Sequence, residues 1–271
     1  MELNFSEILG HCIDDKVQSL IKEVCSYYTY KKLLIHPISL AKEELGENYS
    51  ININGISKPS LNRYIGIWIN ENLPTIEFNI ILAEELCHHI QAYNKFPAIF
   101  GLIENEFVFT FRNLLNSTIW DLNTRHHLLD RSFDLTPLQK LDYNEAIKSI
   151  DIITSEQLYQ FSLPTQNYIF FPQYLLWWYD LVFLSSSFKE KWEKNINQWF
   201  LKNTPYQTQK KWASLILFIK ENPISSSYSV KTSITEICRE LIERMPIFIS
   251  ANTEGMEIKL AFKDLVPRTQ V

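Results

Sequence analysis

The sequence predicts an α+β fold, with a small antiparallel sheet and one central helix in the N-terminal part and a mainly helical, tryptophan-rich C-terminal part that ends in a β-hairpin. Three observations support this prediction. Apolar residues recur at three- and four-residue steps through much of the chain, which is the period of an amphipathic helix. Two segments between residues 49 and 70 alternate β-branched or aromatic residues with others, which is the period of a strand. The 271 residues are 46% hydrophobic, so the chain can bury a large core.

The chain begins with predicted helices. Apolar residues repeat at helical steps from Phe5 to Val24, which predicts that the first 35 residues are helical. A second, short helix is expected to follow Pro37 and to end near Gly46.

Two strands and a third helix are expected next. The alternation predicts strands over residues 49–54 and 64–70, and the turn residues Asn54-Gly55 between them favour antiparallel pairing. Pro74 is typical of a helix start, so residues 75–93 are predicted to form a helix.

The rest of the chain is predicted from the same periodicities. We expect a first domain over residues 1–160 and a helical region with a C-terminal hairpin over residues 161–271, which could serve as a recognition module. The later elements are a helix opened by Thr136-Pro137, a loop over residues 161–172, helices over residues 173–184, 189–201, 207–220 and 233–244, and a hairpin over residues 246–262. The tryptophans of this half are expected to pack in the core, with a partner groove as the alternative.

Composition narrows the classes of function. The net charge is −5 and the 26 Lys and Arg residues are scattered, which gives no strong signal for nucleic-acid or membrane-surface binding. Only six glycines are present and none of them forms a phosphate-binding loop. Four widely spaced cysteines favour a reducing compartment, and no targeting segment is apparent, so we expect a cytoplasmic protein. The oligomeric state is left open.

One motif carries chemical information. It is Ile80-Ile-Leu-Ala-Glu84-Glu85-Leu-Cys-His88-His89-Ile90, within the third predicted helix. Glu84 and His88 are four residues apart, so their side chains lie side by side, as two ligands of one metal ion would. Glu85 is beside them, where a general base would act on water, as in the HExxH pattern. The simpler interpretation is a solvated helix edge.

Two neighbouring side chains are given structural roles. Cys87 points about 100° away from His88 around the helix, so we expect a buried, inert thiol rather than a nucleophile. His89 is expected to hydrogen-bond to Glu85, one turn earlier, and not to bind metal.

Residues 66–90 resemble the strand, short loop and active-site helix of the ImmA/IrrE family of zinc metallopeptidases, and the resemblance covers about residues 30–95. The usual helix motif of that family is AHELGHH, and some phage-borne members have AEELGHH. This chain departs from the usual motif at Glu84, which replaces a histidine, and at Cys87, which replaces a glycine.

The resemblance implies a zincin-like N-terminal fold and a metal site. Glu84 and His88 would be zinc ligands, and Glu85 would be the catalytic general base of hydrolysis by metal-activated water. The family takes a third ligand from an acidic residue on a later helix, for which Asp142 and Glu145 are the candidates here; the rival residues are Glu104, Glu106 and Asp121. The distance along the chain from His88 to Asp142 is longer than the resemblance leads us to expect, which implies an insertion near residues 98–135. Because Glu84 adds an oxygen ligand, manganese or iron could replace zinc.

The resemblance also implies a function. We expect a zinc-dependent endopeptidase that acts on a regulatory protein such as a repressor, in phage, mobile-element or stress control. The alternative is a catalytically inactive zincin-like regulator or immunity factor that binds a protein through its C-terminal half. A third interpretation is that the motif occurs by chance in an unrelated α+β protein.

Overall fold

A computed structural model describes residues 5–45, 54–58, 64–98, 106–156, 164–185 and 187–241. Helices predominate and two small sheets are present, so the predicted α+β class is confirmed. Among the described helices, none combines the length and the apolar character needed to cross a membrane. The predicted boundary at residue 160 and the predicted hairpin over residues 246–262 lie outside the described residues.

The chain divides into two compact units. One contains Met1–Lys95 and Thr124–Leu138, and the other contains Phe96–Asn123 and Gln139–Val271.

The first described residues of this unit form a short hairpin, where a helix was predicted. Strands β1 (Glu7–Ile8) and β2 (His11–Cys12) pair antiparallel. Leu9 and Gly10 between them have φ values of 50° and 82°, which no α-helix contains. The helical prediction is therefore wrong for residues 5–14 and 28–35 and is confirmed for helix α1 (Asp15–Tyr27).

The three-stranded sheet of the first unit is mixed, so the prediction of an antiparallel sheet is only half right. Its strand order is β3–β5–β4, with β3 parallel to β5 and β4 antiparallel to β5. The strands are β3 (Lys32–Pro37), β4 (Gly55–Lys58) and β5 (Tyr64–Ile69). Strand β3 was expected to be helical, because its apolar run Leu33-Leu34-Ile35 fits either period and only pairing with β5 decides between them.

Strand β4 occupies the residues for which a turn was predicted. Residues 49–53 of the predicted strand lie outside the described residues, and Asn54 is not in a strand. Strand β4 pairs antiparallel with β5, with Gly55 opposite Ile69 and Ile56 opposite Trp68, so an antiparallel neighbour of β5 is present, but it is formed by residues 55–58 and not by the predicted strand. After Pro37 the chain forms a 3₁₀ turn and helix α2 (Ala41–Leu45), in agreement with the predicted short helix.

Helix α3 (Thr75–Tyr93) has the predicted bounds. Every residue from Phe78 to Gln91 except His88 is buried, so this part of the helix, which contains the motif, has no solvated edge. It packs against α1, β4 and β5 of the same unit. The motif therefore lies in the interior of the protein, and its charged groups need partners there.

Helix α4 (Glu106–Asp130) occupies most of the segment interpreted as an insertion. It is continuous across the boundary of the two units, which falls between Asn123 and Thr124. Helix α5 (Thr136–Glu156) follows, as predicted from Thr136-Pro137.

The second unit continues with helices. The predicted loop is wrong for residues 164–172, because helix α6 (Pro164–Trp178) covers them and contains Pro172 in its interior. A π-helical turn over Tyr179–Phe183 extends α6, and another over Trp192–Asn197 joins α7 (Lys189–Lys191) to α8 (Gln198–Asn203). The described part of this unit ends with α9 (Tyr206–Glu221) and α10 (Ser227–Leu241).

Aromatic side chains form the core of the second unit, as predicted for the tryptophans. The rings of Phe200 and Trp212 stack with centroids 4.3 Å apart. Tyr174 on α6 lies 5.0 Å from both Trp192 and Trp212. All four side chains are at least 97% buried, so their large apolar area stabilises this unit.

Candidate metal centre

Helix α3 places Glu84 and His88 one turn apart on the same side. Glu84 is buried and His88 is half-buried. Together with Asp121 of α4, they form a group in which one ligand atom from each residue lies within 4.8 Å of the others. In the described part of the chain, this is the group of three such side chains that could hold a metal ion.

The spacing of this group is compatible with a single ion. Ligand atoms that share a tetrahedral metal at about 2.1 Å lie about 3.4 Å from one another. A separation of 4.8 Å between two ligand atoms therefore has to shorten by about 1.4 Å, which side-chain rotations supply. The set contains two carboxylates and one imidazole, and both ligand types bind divalent cations.

The ring of His88 is oriented by a second side chain. Its Nδ1 lies 2.9 Å from Oε1 of Gln91, one turn later on α3. When Gln91 accepts this hydrogen bond, Nδ1 carries the proton and Nε2 keeps its lone pair. This is the arrangement that orients metal-binding histidines.

A buried arginine contacts Glu84. Nη1 of Arg125 lies 2.5 Å from Oε1 of Glu84, and the arginine side chain is 3% exposed. Arg125 and Asp121 are one turn apart on α4, so this helix brings one positive and one negative group to Glu84. Because Arg125 contacts Oε1 of Glu84, the other carboxylate oxygen of Glu84 could still bind a metal ion.

The carboxylate of Glu85 lies against strand β4, where Gly55 provides the space for it. Glu85 is 8% exposed. The predicted base, which follows Glu84 directly in the sequence, therefore lies beside the sheet.

Asp142 and Glu145, the predicted third ligands, are not in the three-residue group. Asp142 is buried on α5, whereas Glu145 one turn later is in contact with solvent. Desolvation and then the negative charge of Asp121 raise the pKa of Glu145. Glu145 is therefore near Asp121, and the ligand roles of Asp142 and Glu145 stay predictions.

The histidine and cysteine inside the motif are structural neighbours of the site. Burial raises the pKa of the Cys87 thiol to about 12, in agreement with the predicted inert thiol. His89 is fully buried, and its ring makes no side-chain hydrogen bond among the described residues, so the expected bond to Glu85 is not formed. Burial lowers the pKa of His89 to about 4.

Sequence reasoning missed two residues of this centre. Arg125 is on a helix that was not predicted, although its position four residues after Asp121 is a helical spacing. Gly55 was interpreted as a turn residue. Asp121 was named only as a rival ligand, and the fold of α4 brings it to Glu84 and His88.

No family model, curated protein or solved structure matches this chain. The likeness to the ImmA/IrrE family stays a prediction from residues 66–90. What is established is an α+β fold with a Glu84, His88 and Asp121 group that could hold a metal ion.

Proposed function

We propose that this chain is a metal-dependent endopeptidase that cleaves a regulatory protein. The observation that carries this proposal is the convergence of Glu84, His88 and Asp121 on one position, with Glu85 adjacent on the same helix. Three protein ligands and a neighbouring carboxylate are the parts that a catalytic metal site of a hydrolase requires.

The residues divide the chemistry among them. A divalent ion held by Glu84, His88 and Asp121 would polarise the substrate carbonyl and lower the pKa of a water molecule. Glu85 accepts the proton of the attacking water and returns it to the leaving amine. Gln91 orients the ring of His88, and Arg125 holds the carboxylate of Glu84.

Zinc is the ion that the family resemblance implies. A site with two carboxylates and one histidine is harder than a site with two histidines, so manganese and iron are also suited to it. A cytoplasmic location belongs to the same proposal, and Cys12, Cys25 and Cys87 are free thiols in the structure.

The test is elemental analysis of protein purified without chelator or histidine tag, beside the His88→Ala variant. We expect about one equivalent of divalent metal in the wild type and a large loss in the variant, because two remaining ligands rarely hold a catalytic ion. Glu85→Gln is expected to keep the metal and to lose cleavage of a mixed peptide library read by mass spectrometry. A wild type without metal after incubation with zinc would contradict the proposal.

The buried Arg125–Glu84 ion pair favours a second candidate function. The guanidinium supplies a positive charge beside Glu84 and so balances it without an ion. The protein would then be an inactive, protein-binding regulator or immunity factor. Folded wild-type protein that takes up no zinc, manganese or iron is the result that would favour this candidate.

A further inference from the structure

Gly55 lies directly against the carboxylate of Glu85. A Cβ atom added to Gly55 would overlap Oε1 of Glu85, and it would lie 2.9 Å from Cγ of Glu85 and 2.9 Å from Cγ2 of Ile81. Ile81 and Glu85 are one turn apart on α3, so one face of this helix packs under β4. Any side chain at position 55 must therefore displace one or both of them.

The backbone at position 55 does not itself require glycine. Gly10 has a φ of 82°, whereas Gly55 is outside the left-handed region and pairs regularly with Ile69 in β5. Glycine inside a strand weakens it, because glycine loses more conformational freedom on folding than alanine. The space that Glu85 and Ile81 occupy is therefore the physical reason for glycine at this position.

We infer that Gly55 is a positioning residue for the Glu85 carboxylate. The strand backbone at Gly55 forms one wall of the space around this carboxylate and so limits the rotamers of Glu85. The inference rests on the proposed function only where it assigns a catalytic effect to this contact. Displacement of a reacting group by about 1 Å lowers rates about 100-fold.

If Gly55 positions Glu85 for catalysis, its replacement should change kcat and leave KM nearly unchanged. Gly55→Ala is expected to lower kcat about 100-fold with little change in KM. Metal content is expected to stay at the wild-type level, because the atoms that meet the new methyl group belong to Glu85 and Ile81 and not to the candidate ligands. Loss of metal in Gly55→Ala would overturn the positioning role.

The contact itself is tested without activity, by thermal unfolding of Gly55→Ala in four backgrounds. In the wild type we expect Tm to fall by about 4–8 °C, the effect of overpacking a buried site. In Glu85→Gln the fall should be the same, since the amide has the size of the carboxylate. In Glu85→Ala it should shrink by at least half, because the obstructing atoms are gone.

The fourth background, Ile81→Ala, separates Glu85 from general helix–strand packing. Equal losses of Tm in Glu85→Ala and wild type, or relief in Ile81→Ala alone, would overturn the inference. The Tm loss of Gly55→Ala could depend on Glu85 in a protein that takes up metal but cleaves no peptide. That result would contradict the proposed function and leave the Gly55–Glu85 contact established.

Discussion

Arg125 and Glu84 form a buried ion pair, and removal of either partner should lower the stability of the fold. Arg125→Met leaves the carboxylate of Glu84 without this counter-charge and is expected to lower the free energy of unfolding by about 3–5 kcal/mol. Arg131→Met is the matched control, because the Arg131–Glu23 pair is about 30% exposed and should contribute about 1 kcal/mol or less. Urea unfolding at pH 7 with chelator present measures both. Equal losses would contradict the structural account of Arg125.

A second residue-scale prediction concerns the pH dependence of His127. Nη1 of Arg131 lies 3.0 Å from Nδ1 of His127. Burial and then the charge of Arg131 lower the pKa of His127 below 6.5, while Asp130 and Glu23 oppose this change. The neutral ring is therefore favoured in the folded state, and the unfolded chain binds more protons below pH 6.5. The contribution of His127 to stability is present above pH 6.5 and is lost as pH falls through the lower folded-state pKa.

The measurement is an NMR titration of the histidine ring protons. We expect His127 to titrate below 6.5 in the wild type and closer to 6.5 in Arg131→Met, because the variant removes a like charge. A wild-type value above 6.5, or a downward shift in the variant, would contradict this prediction.

At the scale of elements, α9 presents a buried stripe and an exposed side. Trp212, Leu215 and Ile219 are buried, whereas Leu217 is 54% exposed. Trp212→Ala is expected to lower the free energy of unfolding by about 3–5 kcal/mol, because it opens a cavity in the aromatic core. Leu217→Ala is expected to cost about 0.5 kcal/mol or less. Denaturant unfolding of both variants checks the prediction, and a small effect of Trp212→Ala would contradict the core role.

Elements differ in how clearly their sequences identify them. Helix α3 was predicted with its bounds, because Pro74 begins it and a long apolar segment follows. Helix α4 was not predicted, because its segment was interpreted only as an insertion. Residues 32–35 of strand β3 were assigned to a helix, because their apolar run is short and only the parallel partner β5 selects the extended conformation.

At the scale of the whole molecule, metal binding and folding should be linked. An ion present at 100 times its Kd adds about 2.7 kcal/mol to stability and should raise Tm by about 5–10 °C. We expect zinc or manganese to raise the Tm of the wild type but not of Asp121→Asn, because Asp121 is in the ligand group. Thermal unfolding with and without added ion measures the effect.

Glu145→Gln is the control for this linkage, since Glu145 is near Asp121 but outside the group. Its response to added ion should match that of the wild type. Loss of the response in Glu145→Gln or Asp142→Asn, with the response kept in Asp121→Asn, would instead support the third ligand expected from the sequence.

The sequence by itself determined the α+β class, the bounds of α3 and the candidate roles of Glu84, Glu85 and His88. These depend on local spacing, since side chains four residues apart meet on any α-helix. The sequence did not decide which of several acidic residues is the third ligand, because no local rule relates residues on helices that are distant along the chain.

The tertiary structure decided which distant residues meet at α3. It brought Asp121 and Arg125 to Glu84 through a helix that was not predicted, and it placed Gly55 against Glu85 in a segment expected to be a turn. It also buried the motif on all sides except at His88. Burial and long-range pairing depend on how elements pack together, and the periodicity of one segment carries no information about that packing.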